Sequence, residues 1–127
     1  MSQITIRAQC HPTEDPEKVR KAILNLFPAS EVVAGENCLL ARTRSAERFK
    51  ELLRELRILD TARGMMFKGV RDGLTVFSLN KQVALMGKVS FVEESVPLGS
   101  IEVVMEDDSV EELIDDLAPR TYQGEIA

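Results

Sequence analysis

Ser2-Gln3-Ile4-Thr5-Ile6-Arg7-Ala8-Gln9-Cys10, followed at once by His11-Pro12-Thr13-Glu14-Asp15-Pro16, is where the fold declares itself. Ile4, Ile6, Ala8 and Cys10 recur every second residue, the period of a strand with one buried face. The next six residues combine helix-capping side chains, early acids that suit a positive helix terminus, and a first-turn proline. A helix is therefore predicted to about Phe27. Val19, Ala22, Ile23 and Leu26 fall at i, i+3, i+4 and i+7 on one buried stripe, and Pro28 stops the run.

Working outward, Val32-Val33, the Gly35-Glu36-Asn37 turn and Cys38 to Arg42 suggest a short hairpin. Ser45 is placed to cap a second helix with an apolar stripe of Phe49, Leu52, Leu53 and Leu56, and Glu47/Lys50 and Glu51/Arg54 form outward pairs. A third helix is expected from Ile58 to Phe67, capped by Asp60 and interrupted by Gly64. Arg71-Asp72-Gly73 reads as a turn into the alternating strand Leu74 to Leu79. Asn80 to Met86 has the length of two helical turns, capped at the start and ended by Gly87. Lys88 to Val92 and Ser100 to Met105 complete the strands. Ser109 and Glu112 have capping-box spacing ahead of Val110, Leu113, Ile114 and Leu117, and Pro119 ends that helix.

Strands and helices are interspersed with hairpin-like spacing rather than in strict alternation. This predicts an α+β fold, one domain over residues 1–127, with a mainly antiparallel sheet and amphipathic helices packed on one face. The other face is then left open for a partner. Ile4, Ile6, Val19, Ile23, Leu26, Phe49, Leu52, Leu53, Leu56 and Leu113 are the expected inward set.

At 127 residues, 44% hydrophobic and 29% charged, the chain can build a core without a metal or disulfide staple. Its longest uncharged stretch, Ala22 to Ser30, is far short of a bilayer span, and the first ten residues lack the pattern of a signal peptide. A cytoplasmic protein without membrane association is the expectation. Cys10 and Cys38 read as small buried hydrophobes. With one histidine, two cysteines and no paired ligand spacing, neither a metal site nor a cofactor is predicted. Cys10 and His11 point to opposite sides of a strand, so they do not make a nucleophile pair. Phosphate-binding and nucleophile-elbow motifs are absent, and no catalytic set emerges.

Charge is the informative feature. Residues 1–92 hold 15 basic and 10 acidic residues, whereas residues 93–127 hold one basic and 11 acidic, within a net charge of −5. Arg63, Lys68, Arg71, Lys81 and Lys88 stand against Asp72 alone, a local +4. Such a cluster can contact phosphates by displacing counterions, or can pair with the acidic C-terminal third. The simplest picture sets a basic face apart from the acidic helix Val110 to Leu117. Phe67, Phe77 and Phe91 are the aromatic candidates for base stacking, although five Phe and one Tyr are mostly needed for the core.

A family resemblance joins this reading. Pro12-Thr13-Glu14-Asp15 with Lys18, Ala22-Ile23 and Asn25-Leu26-Phe27-Pro28 form its first block, and Leu59-Asp60-Thr61-Ala62-Arg63 its second. Phe77-Ser78-Leu79-Asn80-Lys81-Gln82-Val83-Ala84 with Gly87-Lys88-Val89, Pro97-Leu98-Gly99-Ser100-Ile101 and Pro119-Arg120-Thr121-Tyr122-Gln123-Gly124 complete it. Together these blocks resemble a small archaeal family of uncharacterised, predicted RNA-binding proteins, associated by prediction with the exosome. The resemblance implies a domain like ribosomal protein L-five and a non-catalytic role beside RNA processing or degradation machinery. Arg63, Lys68, Arg71, Asn80, Lys81 and Lys88 are the expected RNA contacts, the first, fourth, fifth and sixth of them inside the matching blocks. Gly87 and Gly99 read as positions of positive φ or close packing. The alternative is a protein-interaction subunit that docks through its acidic C-terminal helix, and a metal-assisted hydrolase built on those acids is the enzymatic option weighed against both.

Overall fold

The computed structural model describes residues 2–93, 99–122 and 125–126. Pro97, Leu98, Gln123 and Gly124 of the resemblance blocks lie outside the described residues. The first strand, β1 (Gln3–Gln9), leads into α1 (Pro16–Leu26) and then the hairpin β2 (Glu31–Gly35) and β3 (Cys38–Thr43). Two helices follow, α2 (Glu47–Glu55) and α3 (Leu59–Lys68), before β4 (Val70–Arg71) and β5 (Leu74–Asn80). The remainder runs α4 (Lys81–Leu85), β6 (Phe91–Val92), β7 (Ser100–Glu106), α5 (Val110–Leu117), β8 (Thr121–Tyr122) and β9 (Glu125–Ile126).

The main sheet has strand order β2-β3-β1-β7-β5-β4, and β6 also pairs with β5. Every pairing is antiparallel. β1 and β7 are the central pair, aligned with Ile6 opposite Val103 and Arg7 opposite Glu102. Alternation then decides what each face carries. Ile4, Ile6, Ala8, Ala41, Phe77, Leu79, Ile101, Val103 and Met105 all point to one side and are buried. α1, α2, α3 and α5 close over that side with Val19, Ile23, Leu26, Phe49, Leu53, Met66 and Ile114, giving the predicted α+β architecture.

Phe49 sits at the middle of an aromatic cluster. Its ring centroid is 5.2 Å from Phe27, 5.8 Å from Phe77 and 6.4 Å from Phe91, so α1, α2, β5 and β6 meet around one side chain. Of the expected inward set, Leu56 and Leu113 are only half-buried. Leu56 occupies the C-cap of α2, and the stripe of α5 is centred instead on Val110, Ile114 and Leu117. Among the described residues no helix is long and apolar enough to cross a membrane.

Several local expectations are corrected. Asp15 Oδ1 accepts the Glu17 N–H at 3.0 Å and caps α1, as its position ahead of Pro16 implied. Ser45 stands one residue ahead of the N-cap position of α2, and its Oγ accepts the Glu47 N–H at 3.5 Å; Asp60 and Ser109 make no such bond. Ala46, Ile58 and Ser109 stand at the N-caps of α2, α3 and α5, and none makes a side-chain cap bond. Asp60 accepts from Thr121 Oγ1 instead, and Asp107 Oδ1 takes the Ser109 N–H at 2.9 Å. Gly64 does not interrupt α3, which continues to Lys68. The strand expected from Lys88 shrinks to Phe91–Val92, because the Lys88 N–H turns back to the Val83 carbonyl at 3.1 Å. At Gly69, a Cβ would stand 2.0 Å from the Val76 carbonyl oxygen, so only glycine lets α3 end directly against β5.

Candidate nucleic-acid interface

Asn80 and Lys81 sit where β5 turns into α4. Asn80 Oδ1 accepts the Val83 N–H at 2.9 Å, which caps this short helix and holds the amide in place. Lys81 then points inward across the sheet end. Its Nζ donates to the Gln9 carbonyl at 2.8 Å and lies 2.9 Å from Glu14 Oε2, with the side chain only 7% exposed. The loop between β1 and α1 is thereby tied to the start of α4. Burial pushes the Glu14 carboxyl up, but the Lys81 hydrogen bond, the His11 N–H and the nearby positive charges outweigh it. The net result is a carboxylate held below its ordinary value.

Arg63 is spent in the same way. From α3 it reaches Asp115 Oδ1 of α5 at 2.5 Å and the Ala118 carbonyl at 3.2 Å, while its guanidinium lies 4.8 Å from the centre of the Phe67 ring. Only 16% of the side chain is exposed. Lys50 joins α2 to the same helix through Asp116 at 2.9 Å. The expectation that the acidic helix lies apart from the basic segment is thus overturned. α5 needs cations beneath it because its apolar stripe docks on α2 and α3, which brings Asp115 and Asp116 against them. The expected Glu47/Lys50 and Glu51/Arg54 pairs give way to this contact and to Arg48, which bridges Glu51 and Glu55.

Lys68, Arg71 and Lys88 remain exposed and form no ion pair with a described residue. They do not share a patch. Lys68 and Arg71 flank the Leu74 end of β5, through the pairing of Arg71 with Leu74, whereas Lys88 follows α4 at the Asn80 end. Seven strand residues separate these ends, roughly 20 Å of sheet. The +4 segment therefore supplies two separate cationic positions and two internal fasteners.

A cationic edge that the charge count missed lies on α1. Lys18, Lys21 and Asn25 fall at i, i+3 and i+7, one row of the helix. Asn25 Nδ2 donates to the Ala84 and Leu85 carbonyls at 3.0 and 3.1 Å, so this row faces α4. Lys18 lines a cleft of about 380 Å³ together with Lys81, Gln82 and Leu85. Lys88 follows α4 three residues past Leu85, its N–H returning to the Val83 carbonyl at 3.1 Å, so it leaves the helix that Asn25 touches. Lys18, Lys21 and Lys88 are all exposed, and none pairs with a described acid. Spacing on α1 was available in the sequence; the contact that turns the row toward α4 was not.

Among the described residues base stacking has no platform on the uncovered face of the main sheet. Phe77 is buried, Phe91 packs against Phe77 at 5.5 Å, and Phe67 lies under Arg63. The uncovered face carries Thr5, Arg7, Glu102, Val104, Val76 and Leu40 at its centre, none aromatic. Cys10, His11, Glu14 and Cys38 line a second cleft of about 270 Å³, where His11 Nδ1 lies 2.8 Å from Thr13 Oγ1. Among the described residues no three His, Cys, Asp or Glu side chains are grouped to hold a metal ion.

An antiparallel sheet covered by helices on one side, with exposed lysines on its helical side, defines the protein as an α+β domain. Residues 3–107 match the model of a family described as RNA binding, and the chain belongs to it. More narrowly, it belongs to the UPF0201 family. It is 41% identical over 136 residues to the UPF0201 protein of Aeropyrum pernix, covering 96% of this chain and 88% of that one. The crystal structure of the UPF0201 protein from Methanococcus jannaschii superposes with a TM-score of 0.89 at 40% identity, covering 98% of both chains. A UPF0200/UPF0201 protein of Archaeoglobus fulgidus is 39% identical over 96% of this chain, which spans 39% of that protein's length.

Proposed function

We propose that the protein is a non-catalytic RNA-binding domain that grips phosphates along the α1–α4 seam through Lys18, Lys21 and Lys88. The observation that carries this reading is the Asn25 contact between α1 and α4, which sets the row of Lys18 and Lys21 beside the helix that Lys88 follows, all three lysines being exposed, without an ion pair to a described residue and within the span matched by the RNA-binding family model. Lys68 and Arg71 form a second, separate point of contact at the far end of β5. Arg63 and Lys81 act indirectly, by holding α5 and the loop between β1 and α1. With no aromatic platform among the described side chains of the sheet, the domain reads phosphate backbone and shape rather than bases. The family resemblance extends the proposal to a cytoplasmic accessory of RNA processing or degradation machinery, with an L-five-like arrangement. The alternative, docking through the acidic helix, would rest on Glu111 and Glu112, because Asp115 and Asp116 are engaged by Arg63 and Lys50.

The test is binding of the purified protein to single-stranded and hairpin RNA across a salt series. Dissociation constants on the order of micromolar or weaker are expected, and the association constant should fall with salt at a log-log slope of about −2 to −3 from the three seam contacts, steeper by about one unit or less where Lys68 and Arg71 also engage. A folded protein that binds neither RNA at low salt overturns the proposal.

A further inference from the structure

Of the four large hydrophobic residues exposed among the described residues, three share the uncovered face of the sheet: Val33 is 61% exposed, and Leu40 and Val76 are each 37% exposed. Val33 and Leu40 are cross-strand neighbours on one half of the face, and Val76 lies on the other half beyond β1 and β7. Charge on the same face balances. Arg7 and Glu102 are direct cross-strand neighbours at its centre, both exposed, yet neither forms an ion pair with the other or with any described residue. Glu31 and Arg42 repeat the arrangement nearer the β2 edge.

We propose that a second copy of this chain packs on that face, about a two-fold axis running along the strands between β1 and β7. The strand order places three positions on either side of this line, β2-β3-β1 against β7-β5-β4. Rotation about it lays β1 of one copy over β7 of the other. Arg7 then faces the partner's Glu102, and Glu102 faces the partner's Arg7, so two ion pairs form at the centre of the interface. In the next row Arg42 lies over Val76 of the partner subunit, and nowhere along these rows do like charges meet. A two-fold axis across the strands through Arg7 would instead set that guanidinium against itself, a like-charge contact that disfavours the arrangement. Five spacings of about 4.8 Å and seven residues of about 3.3 Å give a planar face of roughly 550 Å². Side-chain relief raises this toward the roughly 800 Å² per partner of a stable interface.

Sedimentation equilibrium on the 127-residue chain, from roughly 1 to 100 μM, tests the proposal, with circular dichroism to verify folding. The expected mass is twice the 14.2 kDa of one chain. Leu40→Asp, Arg7→Glu and Glu102→Arg should each weaken the dimer by about tenfold or more, and the double variant Arg7→Glu/Glu102→Arg should return within about threefold of the parent. Recovery by the swap separates charge facing charge from a folding defect. A monomer at every concentration overturns the proposal. So does a dimer that ignores Leu40→Asp but is lost in Val33→Pro, which would mark edge pairing through β2.

Discussion

Lys81 and Lys88 lie seven residues apart in the same basic run, yet the fold gives them opposite work. Lys81 is enclosed at the end of the sheet, its ammonium donating to the Gln9 carbonyl and to Glu14. Lys88 stands outside, beyond the short helix that Lys81 begins. The same contrast separates Arg63, clamped between Asp115 and the Phe67 ring, from Lys18 and Lys21 on the outer edge of α1. A cation's sequence neighbourhood says little about whether it can meet a ligand. Its tertiary partners decide, because a charge already compensated inside the fold releases few counterions when RNA arrives.

The largest effect expected from breaking this contrast is on stability. Lys81→Met keeps the aliphatic stem but removes the charge, leaving Glu14 and the Gln9 carbonyl without their donor. A buried pair broken on one side costs about 3–5 kcal/mol, and the partial exposure of Glu14 reduces this to about 2–3 kcal/mol. Urea unfolding should show that loss, while RNA affinity of the folded variant stays within about twofold of the parent. Arg63→Ala comes next, with a cost of about 1–2 kcal/mol from the ion pair, the Ala118 hydrogen bond and the ring contact together. Its RNA affinity should also be unchanged; a large drop there would return Arg63 to the binding surface.

Acid sharpens the Lys81 side of the comparison. The Glu14 carboxyl is held below its ordinary 4.5, so its contribution is complete above that pH and is lost as pH falls through the lower, folded-state value. The stability difference between the parent and Glu14→Gln should therefore be constant from pH 7 to about 5 and shrink below about 4.5. Smallest of all is Lys50→Ala. Its bond to Asp116 is solvent-accessible, and thermal unfolding should shift by an amount corresponding to about 0.5 kcal/mol.

Where local pattern and tertiary packing agreed, the sequence was readable. Period-two alternation marked β1, β5 and β7 because each has one buried face, and the Asp15-Pro16 and Asn80 starts announced their helices. Helix caps failed where a neighbour competed. Asp107 supplies the turn ahead of α5 that the Ser109/Glu112 spacing had suggested, and Asp60 is drawn to Thr121. β4 was hidden because two residues are too few to alternate, and its place depends on Gly69 meeting β5. In the candidate site, the identity of the cations was legible and their availability was not. Arg63 and Lys81 have partners 52 and 67 residues away in the chain, a pairing that no local pattern encodes.

The salt dependence of RNA binding in Lys18→Ala/Lys21→Ala/Lys88→Ala, set beside Lys68→Ala/Arg71→Ala, tests the central assignment most directly. The seam variant should lose most of the log-log slope, a reduction of about 2 or more, with thermal stability within about 1 kcal/mol of the parent. The variant at the far end of β5 should lose about one unit of slope or less. An unchanged slope in the folded seam variant, with the larger loss in the other, would contradict the account and move the RNA contact to α3 and β4.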